Sequence, residues 1–391
     1  MVSFSSLPPA RLGAGLLVGA LLAGSWLLAA QGTLALSLLG GAAFGLLLQR
    51  SRFCFYCIVG DFLERRDARG LLGLLVALAV GTLAYHAVFG SFVPDPTSGR
   101  LPPDAHVGPL SWVLALAAGL FGLGMALSGS CLSAHLYRLG EGAFASLAAL
   151  AGALVGFALG FLSWNGLYLS TLQQAPVVWL PGQLGYGGSL LLQLLALGGL
   201  AAWLLQRHRV PADEAPAAAP TGLWNALFGR RWPTWVGGLL IGTLAVLAYL
   251  RVGPLGVTAE LGSLARTAAH ELDWLPPRLE GLDGFSGCAT RIKEGLLSDN
   301  GVFVVGLVSA AWASALAAGD FRPQRPGGRA LLRNALGGVL LGWGAMLALG
   351  CTVGTLLSGI MAGAASGWIF ALFCLLGLLL GRALRPALRL G

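Results

Sequence analysis

Charge is what this chain has least of. Only 10% of its 391 residues are Asp, Glu, Lys or Arg, against about 25% in soluble globular proteins. A chain of this length with so little charge is not a water-soluble domain. Lysine is almost missing, since all 24 basic residues but Lys293 are arginine. The six cysteines are too few for a disulfide scaffold, and a chain of this size needs none. No Gly-x4-Gly-Lys-Ser/Thr loop is present, so the chain does not itself use ATP. No acid sits plainly in mid-span, which weakens a proton-coupled mechanism without deciding between channel and coupled carrier. His135 has no second histidine or acid at ligand spacing beside it, so neither a metal nor any other cofactor is expected.

What the chain has is apolar residues (56%), 60 glycines and a mean hydropathy of +0.78. Ten apolar segments, near residues 12–30, 34–49, 70–93, 109–129, 142–168, 185–206, 235–252, 302–319, 334–350 and 365–382, approach the roughly 20 residues that a membrane-spanning helix needs. The expected fold class is all-α, a polytopic helical membrane protein in a lipid bilayer. The first segment resembles a signal peptide, but it lacks a small-x-small cleavage site and runs through Gln31-Gly-Thr into the next one, so it is read as a retained span.

A net charge of +8 invites a nucleic-acid partner, yet the arginines lie in short loops between spans and form no single face. No nucleic acid is expected. Arg50, Arg52, Arg65, Arg66 and Arg69 follow span two; Arg207, Arg209, Arg230 and Arg231 follow span six; Arg322, Arg325, Arg329 and Arg333 follow span eight. With Arg11, Arg382, Arg385 and Arg389 these fall on one face if the spans alternate, and that face is cytoplasmic. Segments 94–108 and 169–184 carry one arginine between them and belong outside.

Two stretches read as one motif written twice: Gly122-Leu-Gly-Met-Ala-Leu-Ser-Gly-Ser-Cys131 and Gly342-Trp-Gly-Ala-Met-Leu-Ala-Leu-Gly-Cys351, offset by 220 residues (342 − 122). The alternating topology sends the first copy from outside to inside and the second from inside to outside. This predicts one transporter domain over 1–391, built from a first inverted repeat at 34–168 and a second at 235–382, with a flexible cytoplasmic linker at 207–233. Each motif cysteine is followed by a polar or small step, which suits a broken helix whose restart aims N–H groups at an anion. Close helix packing is an equally good reading of the glycines.

Gln49-Arg-Ser-Arg-Phe-Cys54, the Gly-Ser-Cys131 segment running into Tyr137-Arg-Leu-Gly-Glu-Gly142, and Gly350-Cys351-Thr-Val-Gly354 closely resemble the YeeE/YedE family of bacterial inner-membrane sulfur transporters, whose characterised members take up thiosulfate. The resemblance runs from about residue 34 to 382. It implies an hourglass-shaped helical carrier or channel whose half-helices meet at a narrow waist, with Cys54, Cys131 and Cys351 as the substrate-binding residues. Thiosulfate is a dianion with a soft terminal sulfur, and neutral thiols give it weak hydrogen bonds without a buried cation. The thiols are therefore predicted to stay protonated, although a helix N-terminus pulls the other way. Cys54, beside the arginine-rich loop, is expected at the cytoplasmic exit; Cys131 and Cys351 belong to the waist and the outer approach, in an order left open. The family also suggests that a small cytoplasmic sulfur-carrier protein with a reactive cysteine docks at the inner face.

Other residues join with less to carry them. Ser130 and Thr352 are placed to reach sulfonate oxygens or, equally, to cap helices. Cys288 precedes span eight much as Cys54 precedes span three, which makes it either an outer counterpart of Cys54 or an ordinary loop residue. Cys374 reads as core or lipid-facing. Arg138 and Glu141 pair across the break or cap a helix; Gln49 and Arg52 guide an anion inward or merely set topology. The chain is not expected to be an enzyme. Two alternatives stand beside thiosulfate uptake: transport of another sulfur or selenium species, and, more remotely, a membrane thiol oxidoreductase using Cys54 and Cys57.

Overall fold

A computed structural model describes residues 9–209, 222, 224–276, 278–285, 290–293, 295 and 297–387. Ten helices are long and apolar enough to cross a membrane. They are α1 (Pro9–Leu27), α2 (Gly32–Ser51), α4 (Arg69–Phe92), α5 (Trp112–Ser128), α7 (Ala145–Ser170), α8 (Leu180–Arg207), α9 (Thr234–Arg251), α11 (Asp299–Ala318), α12 (Gly328–Leu347) and α14 (Ala365–Ala387). Between them lie four short helices: α3 (Phe55–Arg65), α6 (Leu132–Gly140), α10 (Thr258–Glu271) and α13 (Thr352–Met361, π-helical from Thr352 to Ser358). The order long, short, long therefore occurs four times: α2-α3-α4, α5-α6-α7, α9-α10-α11 and α12-α13-α14. Among the described residues there is no β-strand, only isolated bridges.

Local chemistry sets the helix ends. Ser111 and Ser298 cap α5 and α11, their hydroxyls accepting from Leu114 N (3.2 Å) and Gly301 N (3.1 Å). Gly129 (φ 80°) ends α5 and Gly319 (φ 73°) ends α11 in the left-handed conformation that glycine adopts freely. Arg52 (φ 50°) and Arg66 (φ 57°) do the same for α2 and α3, at the steric cost of a side chain there.

The long helices pack as particular pairs: α2 on α11, α4 on α9, α7 on α12, and α5 on both α12 and α14. Lipid tails are as apolar as leucine, so close backbone approach has to hold such pairs together. The duplicated Gly-x-Gly supplies it. A Cβ on Gly122 would strike the Cys374 carbonyl of α14, and one on Gly124 would lie 2.7 Å from the Gly337 carbonyl of α12. In the second copy Gly342 abuts Ala153 of α7, and Gly344 abuts Ala117 of α5. Each glycine of a pair thus admits a different neighbour, and both pairs are packing devices. Helices α1 and α8 stay peripheral, with 6% and 22% of their apolar windows buried.

The connection after α8 was expected to be a flexible linker over 207–233. Its described part from Trp224 onward is held: Arg50 donates to the carbonyls of Phe228 (3.2 Å) and Arg230, and Trp232 N donates to Arg50 O (3.0 Å). The connection between α9 and α11, which carries charges of both signs, contains α10.

Candidate functional site

Each short helix follows a chain break, and the residue at its N-cap is Cys54 for α3, Cys131 for α6, Val257 for α10 and Cys351 for α13. At three of the breaks the chain turns through left-handed or otherwise unusual backbone, at Arg52, Gly129 and Leu349 (φ 55°); the fourth has Gly253 followed by Pro254. The expected restart of a helix at each motif cysteine is what the structure has.

The breaks bring the thiols together. Cys54 is fully buried, and its thiol is a near neighbour of those of Cys131 and Cys57. Cys131 Sγ is 3.3 Å from Ser133 Oγ. Cys351 Sγ accepts from Val353 N (3.4 Å) and is within reach of the Thr258 hydroxyl at the start of α10. Between the two groups lies a cavity of about 20 Å³ bordered by Cys131, Ser133, Thr352 and Val353 and walled by Phe53, Phe55 and Leu357. That is room for about one water molecule. The starts of α3, α6 and α13, each a positive dipole end, therefore border one constricted, largely apolar spot, and the start of α10 lies beside Cys351.

Cys54 was expected near the cytoplasmic exit. The structure places it beside Cys131, after the left-handed residue Arg52 that ends α2. Thr352 lines the cavity, whereas the Ser130 hydroxyl is taken by Arg138, which also donates to Gly129 O (3.2 Å) and so caps α5. Arg138 and Glu141 thus cap separately. Gln49 is committed to structure: its amide nitrogen donates to Glu141 (3.2 Å) and Asp320 (3.2 Å), and its oxygen accepts from Ser314 (2.8 Å). Burial raises the Glu141 carboxyl above the usual range, against the pull of Arg231 and of the Gln49 hydrogen bond. Cys374 is buried core. Cys288 lies outside the described residues. Cys54 and Cys57 are free thiols. Among the described residues no group of three His, Cys, Asp or Glu is placed to hold a metal.

On the face where α2 begins and α9 ends, a vestibule of about 1320 Å³ opens, lined by Arg251, Glu260, Arg291, Lys293 and Asp299 among others. Lys293 pairs with the buried Glu260, which also accepts from Ser298 (2.9 Å). Arg266 of α10 donates to Asp283 (3.2 Å) and to Thr290 O (2.6 Å). Thr258, Ser133 and this charged vestibule escaped the sequence reading. The one available signal was the breaker-rich Gly253-Pro-Leu-Gly after span seven.

The family described as sulphur transport matches residues 50–380, most of the chain. The chain belongs to that family. The implied YeeE/YedE membership is borne out, and the protein is a multi-pass membrane transporter. Within the sulphur transport family it is similar to the thiosulfate transporter TsuA of Escherichia coli (strain K12), at 28% identity over 87% of this chain and 91% of the relative. It is similar also to the thiosulfate transporter TsuA of Spirochaeta thermophila, at 29% identity over 87% of this chain and 95% of the relative.

Proposed function

We propose that this chain carries thiosulfate across the bacterial inner membrane, without transforming it, through the constriction at Cys131 and past the neighbouring thiols of Cys54 and Cys351. What supports the reading is the placing of Cys54 beside Cys131 and of Cys351 beside Thr258, at the starts of four short helices, on the two sides of that constriction. The peptide N–H groups and dipole ends offset the dianion's charge on sulfonate oxygens, while thiols contact its soft terminal sulfur weakly enough to release it. No buried cation is needed, so no deep well traps the ion.

The repeats at 34–168 and 235–382 form an inverted pair in this reading. A pseudo-twofold exchanging α2 with α9, α4 with α11, α5 with α12 and α7 with α14 turns the α2–α11 contact into α9–α4, and α5–α14 into α12–α7. Those pairs are the ones that pack. The same operation relates α3 to α10, so the counterpart of Cys54 is the Val257-Thr258 start of α10, with no role required of Cys288. Substrate enters from the charged vestibule, passes Cys351 and then Cys131 with Cys54, and leaves along α3 and α6. A cytoplasmic sulfur-carrier protein with a reactive cysteine then consumes it.

Growth of a sulfate-uptake-deficient bacterium on thiosulfate as sole sulfur source tests the reading, with Cys54, Cys131 and Cys351 replaced singly by alanine. Each replacement is expected to abolish growth that the unmodified chain supports. Growth unchanged by all three would overturn the thiol pathway. Sulfate, sulfite and selenite in the same strain measure selectivity.

A further inference from the structure

The cytoplasmic end of α8 is tied to the corner between α3 and α4, far from the thiols. Arg209 N donates to Arg66 O (3.0 Å), and His208 Nδ1 accepts from Ala68 N (3.2 Å). These bonds join segments about 140 residues apart in sequence and fix a hollow of about 350 Å³ bordered by Arg66, Gln206, Arg207, His208 and Arg209. Among the described residues none of the three arginines has a carboxylate partner. The nearby Asp67 is already engaged by Arg69 (2.7 Å), although it also lies 3.9 Å from His208 Nδ1.

Below the hollow the surface turns aromatic and then apolar. The Arg207 guanidinium sits 5.2 Å from the Trp203 ring centroid and that of Arg66 5.8 Å from Phe62, and the two rings lie 5.7 Å apart. Trp203 is 43% exposed, and Leu63 of α3 and Leu205 of α8 are exposed as well. The ring stacking holds two cations in place while leaving their N–H groups free to donate. Tryptophan near the end of a membrane-spanning helix is the residue type that favours the membrane interface.

We propose that this hollow is a binding site for the phosphate headgroup of an anionic phospholipid of the inner leaflet. Three arginines with no carboxylate partner among the described residues fit a phosphodiester, and the exposed Trp203 and leucines of α3 and α8 fit its acyl chains. A free inorganic anion shares the first complementarity and has no use for the second. The proposal is independent of the identity of the transported ion.

Native mass spectrometry of the full chain, purified in detergent and equilibrated with equimolar phosphatidylglycerol and phosphatidylcholine, tests it. The unmodified chain is expected to retain phosphatidylglycerol at least fivefold over phosphatidylcholine. The triple variant Arg66→Gln, Arg207→Gln, Arg209→Gln is expected to lose that preference, and Arg207→Gln alone to halve it. A control with Arg322, Arg325 and Arg329 changed to Gln removes equal charge elsewhere and should keep it. No preference in the unmodified chain, equal loss in the control, or a preference kept by both hollow variants would overturn the proposal. So would displacement of the lipid by 10 mM inorganic phosphate, which would make the hollow a free-anion site.

Discussion

The buried thiol of Cys54 neighbours the buried thiol of Cys131, 77 residues further along the chain (131 − 54). The contact joins the first residues of two short helices that belong to different long-helix pairs. If both thiols meet the same ion, alanine at either should cut uptake of radiolabelled thiosulfate at least tenfold. Cys57→Ala should retain uptake, since Cys57 lies within α3 instead of at its mouth. Comparable losses in all three variants would mean that the cluster merely packs.

The glycine pairs predict a matched stability loss. Gly122→Ala places a methyl on the Cys374 carbonyl and Gly342→Ala places one on Ala153 O. Overpacking a close helix contact costs about 1–3 kcal/mol, so both variants should melt at lower temperature in detergent by similar amounts. Gly15→Ala, where the added methyl meets nothing within 4 Å, should melt like the unmodified chain. A Gly122 variant as stable as the Gly15 variant would contradict the packing assignment.

Arg50 is 1% exposed, and its guanidinium is held 3.4 Å from Asp320 as well as by linker carbonyls. Removing one member of a buried pair strands the other charge. Asp320 is partly exposed, with 30% of its side chain accessible, so Asp320→Asn is expected to cost only about 1–2 kcal/mol after solvent screening. Arg231→Gln, whose ion pair to Asp320 spans 3.9 Å, should change the melting temperature little. Equal shifts in the two variants would argue against a special role for Arg50.

His106, in the loop between α4 and α5, is buried with its carbonyl against Gly359 of α13. Burial pushes its imidazole down from 6.5 to about 4. Between those values the unfolded chain binds a proton that the folded chain refuses, so stability falls as pH drops from 6.5 toward 4 and is unaffected by this group above 6.5. The full effect is about 3 kcal/mol. Melting curves from pH 7.5 to 5 should slope less for His106→Gln than for the unmodified chain, and identical slopes would exclude His106 as a cause.

The ten spans were legible in the sequence because lipid imposes a length and an apolar composition that few other contexts share. The motif cysteines were legible as helix restarts because glycine-rich breaks precede them. What stayed hidden is instructive. Helix α10 carries Glu260, Arg266, His270 and Glu271 and so reads as a loop; the structure satisfies its buried Glu260 through Lys293 and Ser298, residues supplied from far downstream. Cys54 was placed by its neighbours along the chain, the loop arginines. Its nearness to Cys131, across a left-handed turn at Arg52, is a tertiary relationship that spacing along the chain does not reveal. Thr258 shares a position with Cys54 in helix order but not its chemistry, so a search for matching thiols passes over it.

The 20 Å³ cavity beside Cys131 has a consequence for protons as well as for the substrate. Protons cross membranes by hopping along unbroken files of water, and a space that seats about one molecule interrupts such a file. At the Cys131 constriction the described structure therefore offers protons no continuous file of water.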